Sequence, residues 1–93
     1  MEVKNTYNEK NGSFYIEDQG KKAAEMTFVF AGPEKFIIDH TEVNAAYEGQ
    51  GLGKQLVKAA VDFAREKGYK ILPLCPYAKN VFMKIKEYQD VLA

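Results

Sequence analysis

Across its 93 residues the chain holds one cysteine, one histidine, three prolines and no tryptophan, and its thirteen basic side chains cancel its thirteen acidic ones. Each shortage removes a class of function. The lone thiol, Cys75, cannot close an internal disulfide, and one cysteine with one histidine cannot furnish a structural zinc tetrad. With no net charge there is no global positive field to hold nucleic acid or an anionic membrane, so an anion site has to rest on local geometry. The stretch Met1-Glu2-Val3-Lys4-Asn5 lacks the apolar core of a signal peptide, and no apolar run approaches bilayer-spanning length. These absences predict a reduced, cytoplasmic protein with no metal site and with neither nucleic acid nor membrane as partner.

What is present is ordinary for a globular chain: 46% hydrophobic residues against 28% charged, a balance that argues against disorder. The length allows a single core, and no linker, repeat or low-complexity segment interrupts it, so one domain over residues 1–93 is expected.

Residues 3–10 are weakly patterned, with Val3 and Tyr7 their only large apolar groups. Asn11-Gly12 reads as a hairpin turn, since a type I′ turn needs positive φ at both central positions. Ser13 to Glu17 then reads as a strand closed by Asp18-Gln19-Gly20. Ala23 to Phe30 alternates cleanly, with Ala24, Met26, Phe28 and Phe30 on one face and Glu25 and Thr27 on the other, which is the period of a half-buried antiparallel strand. After a turn at Ala31-Gly32-Pro33-Glu34, Phe36-Ile37-Ile38 is apolar on both faces and belongs in mid-sheet. The same strand becomes polar at Asp39-His40-Thr41-Glu42 and ends at Val43, so its C-terminal end is expected to border either a site or solvent.

Helical spacing of Leu52, Leu56, Ala59, Ala60, Phe63 and Ala64 predicts a helix from about Leu52 to Lys67, with Arg65 and Lys67 at the negative end of its dipole and Gly68 after it. Tyr69 to Cys75 reads as a strand parallel to the one before the helix, joined by a right-handed crossover and made irregular by Pro73. Pro76 opens a last helix with the stripe Ala78, Val81, Phe82, Ile85 and Tyr88.

Between strand and first helix lies Tyr47-Glu48-Gly49-Gln50-Gly51-Leu52-Gly53-Lys54. Glycine at every second position lets the backbone turn tightly and approach a ligand, while the helix points its free amides and positive dipole end at the loop. That is an arrangement for phosphate or pyrophosphate. A Walker A loop would need glycine at Glu48 and serine or threonine at Gln55, and the glycine spacing does not fit the dinucleotide fingerprint. The loop instead resembles the cofactor loop of the GNAT superfamily of N-acyltransferases, Arg/Gln-x-x-Gly-x-Gly/Ala, with Glu48 as the departure from pattern. An acid there would have to point away from a pyrophosphate, leaving the contact to backbone amides. The order of elements is also similar, and His40-Thr41-Glu42-Val43, Leu74-Cys75-Pro76-Tyr77-Ala78 and Glu87-Tyr88-Gln89-Asp90-Val91-Leu92 resemble a subfamily of very small GNAT-like proteins.

The resemblance implies a compact α/β fold, with antiparallel strands, a strand-helix-strand crossover and a C-terminal helix, lacking the last strands of larger members. It implies binding of acetyl-coenzyme A through Val43, Gly49, Gln50, Gly51, Leu52, Gly53, Lys54, Cys75, Lys79 and Asn80, and transfer of acetyl to an amine of unknown identity. A protonated amine, with a pKa of roughly 10.4 for a free lysine, must first lose its proton. His40 and Glu42 are the candidate bases. Cys75, before a helix start, is a candidate nucleophile for a covalent acyl-cysteine route, or a small buried thiol packing in the core. A sensor that binds acyl-coenzyme A without turnover, and a protein-contact module with a structural glycine loop, are the alternatives.

Overall fold

The computed structural model describes residues 2–93. Strands β1 (Lys4–Tyr7), β2 (Asn11–Asp18), β3 (Lys21–Phe30), β4 (Lys35–Val43) and β5 (Lys70–Pro73) form one sheet in sequence order. The first four are antiparallel, and β5 joins β4 in parallel. Helix α1 (Leu52–Lys67) is the crossover between β4 and β5, and α2 (Pro76–Lys84) follows β5. A 3-10 turn at Ala45–Tyr47 precedes the glycine loop, and a second at Lys86–Val91 closes the chain. The mixed α/β architecture is the one the sequence predicts.

The expected turn at Asn11-Gly12 is not there. Asn8 makes the turn instead, its Oδ1 accepting from the amides of Lys10 and Asn11 at 2.7 and 3.0 Å. Its backbone N–H meets the Asn11 carbonyl, so Asn11 and Gly12 begin β2. Gly12 is glycine for a packing reason, because a Cβ there would collide with Tyr7, the Thr6 carbonyl and the Phe28 ring. The weakly patterned start of the chain thereby becomes β1, an edge strand whose Tyr7 meets the Phe63 ring edge-on at 5.3 Å.

Phe14, Ile16, Met26, Phe28, Phe36, Ile38 and Ile71 line the buried face of the sheet. Against them α1 presents Leu56, Val57, Ala60, Val61, Phe63 and Ala64, the face its spacing marks out. Full burial of each large apolar side chain is worth about 1.5–3 kcal/mol relative to exposure. Phe63 also packs near Phe14, Phe28, Phe36 and Tyr69, at centroid distances of 5.7 to 6.1 Å. Gly68 stops the helix in the left-handed region at φ 75°, its N–H on the Ala64 carbonyl.

Helix α2 lies beside α1 on the same face and buries Ala78, Val81 and Phe82. It ends earlier than the apolar stripe suggests, because Ile85 leaves helical geometry at φ −107°, ψ 96°. Tyr88 reaches the Phe82 ring from the terminal 3-10 turn. Arg65 holds that turn through both carboxylate oxygens of Asp90, and Lys70 donates to the Asp90 carbonyl. No helix among the described residues is long and apolar enough to cross a membrane.

Two bulges shift the register. In β3, Ile16 pairs with Ala24 while Glu17 pairs with Lys22, so Ala23 is the extra residue and both alanines turn inward. In β4, Phe28 faces Ile38 but Thr27 faces His40, which makes Asp39 the extra residue. Thr27 Oγ1 donates to Asp39 Oδ1 at 2.6 Å on the outer face. Asp39 and His40 therefore point outward together, and from Thr41 onward the inward and outward positions are exchanged.

Candidate functional site

The glycine loop is held at both ends. Asn44 Oδ1 accepts from the Ala46 amide at 3.0 Å and caps the short turn. Tyr47 Oη donates to Asp18 Oδ2 at 2.7 Å, tying the loop to the end of β2. That hydrogen bond pushes the Tyr47 phenol above its ordinary pKa. Gly49 and Gly51 follow at φ 83° and 76°, and Gly51 is the N-cap of α1. A Cβ built at either would meet no protein atom. The backbone there is open to a ligand, and the positive φ is what requires glycine. The Gly51 cap brings no side-chain hydrogen bond to the first amides of α1, so they stay available to an anion.

Gly53 has a packing task as well. A Cβ there would fall within the Tyr77 ring, so this glycine lets α2 close against the start of α1. Thr41, Val43, Tyr47, Glu48, Gly49, Gly51, Leu52, Gly53 and Tyr77 together line a cavity of about 330 Å³.

Beside that cavity the sheet comes apart. The β4–β5 pairing stops at Ile38 and Pro73, and the Leu74 and Cys75 amides both donate to the Ile38 carbonyl, at 3.0 and 3.1 Å. Pro73 has no N–H with which to continue the ladder, and Pro76 starts α2 three residues later. Past this point β4 runs on to Val43 paired with β3 only, its other edge left without a strand.

Cys75 is the N-cap residue of α2 and is 7% exposed. Burial pushes its thiol pKa up, but the Thr41 hydroxyl and the Ala78 and Tyr77 amides outweigh that and bring it below the ordinary value. Thr41 Oγ1 is buried and, the Cys75 thiol apart, meets no hydrogen-bond partner, so it is a polar group left for the thiol or for a ligand.

The structure separates the other candidates. His40 and Glu42 share the outer face, with His40 Nε2 and Glu42 Oε2 3.6 Å apart and both side chains well exposed. Simple alternation along β4 would group His40 with Ile38 and Thr41 with Asp39, and the bulge overturns it: Ile38 and Thr41 turn inward, and His40 turns outward. Val43 lines the glycine-loop cavity, whereas Lys79 lines neither it nor the neighbouring cavity formed by Lys54, Tyr77, Asn80, Val81, Lys84 and Ile85. Gln50 is exposed at the tip of the loop. Residues that pattern reading passed over are Thr41, hidden by the bulge; Tyr77, whose ring explains Gly53; and the Tyr47–Asp18 pair, 29 positions apart. Only Asn44, a common N-cap type just before the loop, carried a local signal.

Known proteins share this arrangement. A family model described as GCN5-related N-acetyl-transferase matches residues 13–91. Protein NATD1 of Danio rerio is 33% identical over 87 residues, spanning 92% of this chain and 78% of its own length. Protein NATD1 of Homo sapiens is 39% identical over 57 residues, 61% of this chain and 50% of its own, so the match spans about half of that relative. The solution structure of a GCN5-like protein from Staphylococcus aureus superposes with a TM-score of 0.77 at 41% identity, over 99% of this chain and 87% of that one. The ribosomal-protein-S18-alanine N-acetyltransferase of Escherichia coli shares the fold, with a TM-score of 0.70 at 19% identity over 84% of this chain and 53% of its own. Sequence, fold and loop agree, and the chain belongs to the GCN5-related N-acetyltransferase family.

Proposed function

We propose that the protein binds acetyl-coenzyme A at the Gly49–Gly53 loop and transfers the acetyl group to an amine in the cytoplasm. The observation that carries this reading is the loop itself. Gly49 and Gly51 hold positive φ with open space before them, at a helix start whose cap leaves its amides to a ligand. These residues fit a pyrophosphate, which the amides and the dipole of α1 would bind. Glu48 lines the same cavity, and a carboxylate there makes the backbone, rather than a side-chain cation, the group that meets the phosphates.

The open end of β4 supports the chemistry. On its inner side Thr41 lines the cavity and meets the Cys75 thiol behind it; on its outer side His40 and Glu42 are exposed to an incoming amine and suited to take its proton. Amine attack on the thioester carbon forms the C–N bond and expels the coenzyme A thiolate. In the covalent variant the Cys75 thiolate attacks the thioester carbon first and expels the coenzyme A thiolate, and the amine then attacks the acyl-cysteine and expels the Cys75 thiolate. The lowered thiol pKa favours that second route.

Calorimetric titration with acetyl-coenzyme A, followed by intact-mass measurement of the same sample, tests both levels. Binding is expected, with loss of more than about 10-fold in affinity for Gly51→Val, because each charge-assisted hydrogen bond to a phosphate is worth roughly 1.5–3 kcal/mol. An added acetyl mass that vanishes in Cys75→Ala supports the covalent route, and its absence leaves direct transfer. A protein that binds no acetyl-coenzyme A sinks the proposal, and one that binds it without acetylating any amine is a sensor.

A further inference from the structure

At the end of the sheet away from the glycine loop, three aromatic rings stand around an open space. Tyr7 ends β1, Phe30 ends β3, and Tyr69 comes just before β5. With Asn8, Glu9, Gly32 and Pro33 they line a cavity of about 430 Å³, a size suited to a small ligand. The Phe30 ring meets Tyr7 at 6.0 Å and 72°, and Tyr69 at 5.6 Å and 57°, so the rings form walls rather than a stack. Phe63, largely buried, packs against both tyrosines at 5.3 and 5.7 Å and holds them in place.

The lining has a sign. Tyr7 is 51% exposed although it touches two other rings, which leaves aromatic surface for a ligand. Glu9 is the one charged residue on the cavity wall, and it is in no ion pair among the described residues. The turn made by Asn8 fixes Glu9 there, and in doing so occupies Asn8 Oδ1 with the amides of Lys10 and Asn11. Aromatic faces are negative, and an unpaired carboxylate adds to that potential, so the cavity favours a cation. A primary ammonium would give up hydrogen bonds to water from three donors, which a mostly aromatic wall does not replace. An ammonium carrying methyl groups in place of those hydrogens loses none, and its methyls pack on the rings and on Pro33.

We infer that Tyr7, Phe30 and Tyr69, with Glu9 beside them, form a cage for a quaternary ammonium group. The site stands apart from the acyl-coenzyme A reading and does not rest on it. The nine residues of β4 separate the two ends of the sheet by roughly 25 Å at about 3.3 Å each, and the two cavities share no residue. A free quaternary amine and a trimethylated lysine side chain both present this group.

Proton–nitrogen correlation spectra of the isotope-labelled full chain, titrated with choline chloride, test the cage. Saturable shifts are expected at the amides of Tyr7, Glu9, Gly32 and Tyr69. Choline is expected to bind about 5- to 30-fold more tightly than its uncharged analogue, in which a tert-butyl group replaces the trimethylammonium, the range for a cation held against aromatic faces. Ethanolamine, its primary ammonium counterpart, is expected to be weaker than choline as well. Tyr7→Leu should remove the preference for choline and Tyr7→Phe should keep it. Glu9→Gln, at an exposed turn position where the fold does not depend on the side chain, should reduce it. Acetyl-trimethyllysine amide separates the two sources: tighter binding than choline assigns the cage to a methylated lysine, and equal or weaker binding to a free amine. Equal affinity for choline and either comparator overturns the cage, since a merely apolar or merely acidic cavity would give that result. Shifts scattered over the chain, or none, overturn it too and leave the three rings as the edge of the core.

Discussion

Gly51 and Gly53 lie two positions apart and resist a side chain for opposite reasons. At Gly51 nothing stands where a Cβ would go, so alanine costs only the left-handed backbone, about 1–2 kcal/mol. At Gly53 the helical backbone suits any residue, but the Tyr77 ring occupies the space. Gly53→Ala is expected to cost about 1–3 kcal/mol through overpacking, with recovery in Gly53→Ala, Tyr77→Ala; chemical denaturation of the four proteins measures it. Two glycines that look equivalent in the sequence thus divide between backbone conformation and packing. Cys75 gives a second test at this scale. Its pKa is lowered in spite of burial, with the Thr41 hydroxyl the largest of the lowering causes. The rate of alkylation by iodoacetamide should therefore rise through an inflection below that of an unperturbed thiol. Thr41→Val should move that inflection upward and Thr41→Ser should restore it. An inflection unchanged in the valine variant would show that the hydroxyl does not act on the thiol.

The elements were legible in proportion to how local their causes are. Helix α1 was readable from end to end because its apolar period, basic last turn and terminal glycine agree. The alternation in β3 was readable for the same reason. Strand β1 was not, since its four residues are all exposed and its place comes from pairing with β2. The outward turn of His40 was hidden as well, because a bulge is decided by the partner strand rather than by the residues that form it. That one shift is why simple alternation puts His40 on a face that the fold does not keep. Phe63 shows what an element contributes once placed: it is 8% exposed and contacts rings from β1, β2, β3 and β4. Phe63→Ala is expected to cost about 3–5 kcal/mol, seen as a fall in urea midpoint.

At the scale of the whole molecule, the buried residues of sheet and helices form one continuous core. Heat should therefore unfold the protein in a single transition, with calorimetric and van't Hoff enthalpies equal; two resolved transitions would show that the terminal turn melts apart from the rest. The pH dependence has a defined sign. Arg65 holds the Asp90 carboxyl below its ordinary pKa. The contact contributes stability that is fully present above the unfolded carboxylate value and is lost as pH falls through the folded one. Both groups are exposed, so Asp90→Asn should change stability little at neutral pH and flatten the acid limb of the profile. Melting curves of the two proteins across that range measure it.

The extra residue at Asp39 also sets a rule about length. Before it the even-numbered side chains of β4 enter the core, and after it the odd-numbered ones do. Removing one residue between Ile38 and Thr41 would erase the bulge and leave both sides as they are, with the hydroxyl still facing the thiol. Straightening the bulge with both residues kept, or removing both, would instead turn that hydroxyl outward. This short segment should therefore accept the loss of one residue more readily than the loss of two, a constraint of parity rather than of composition.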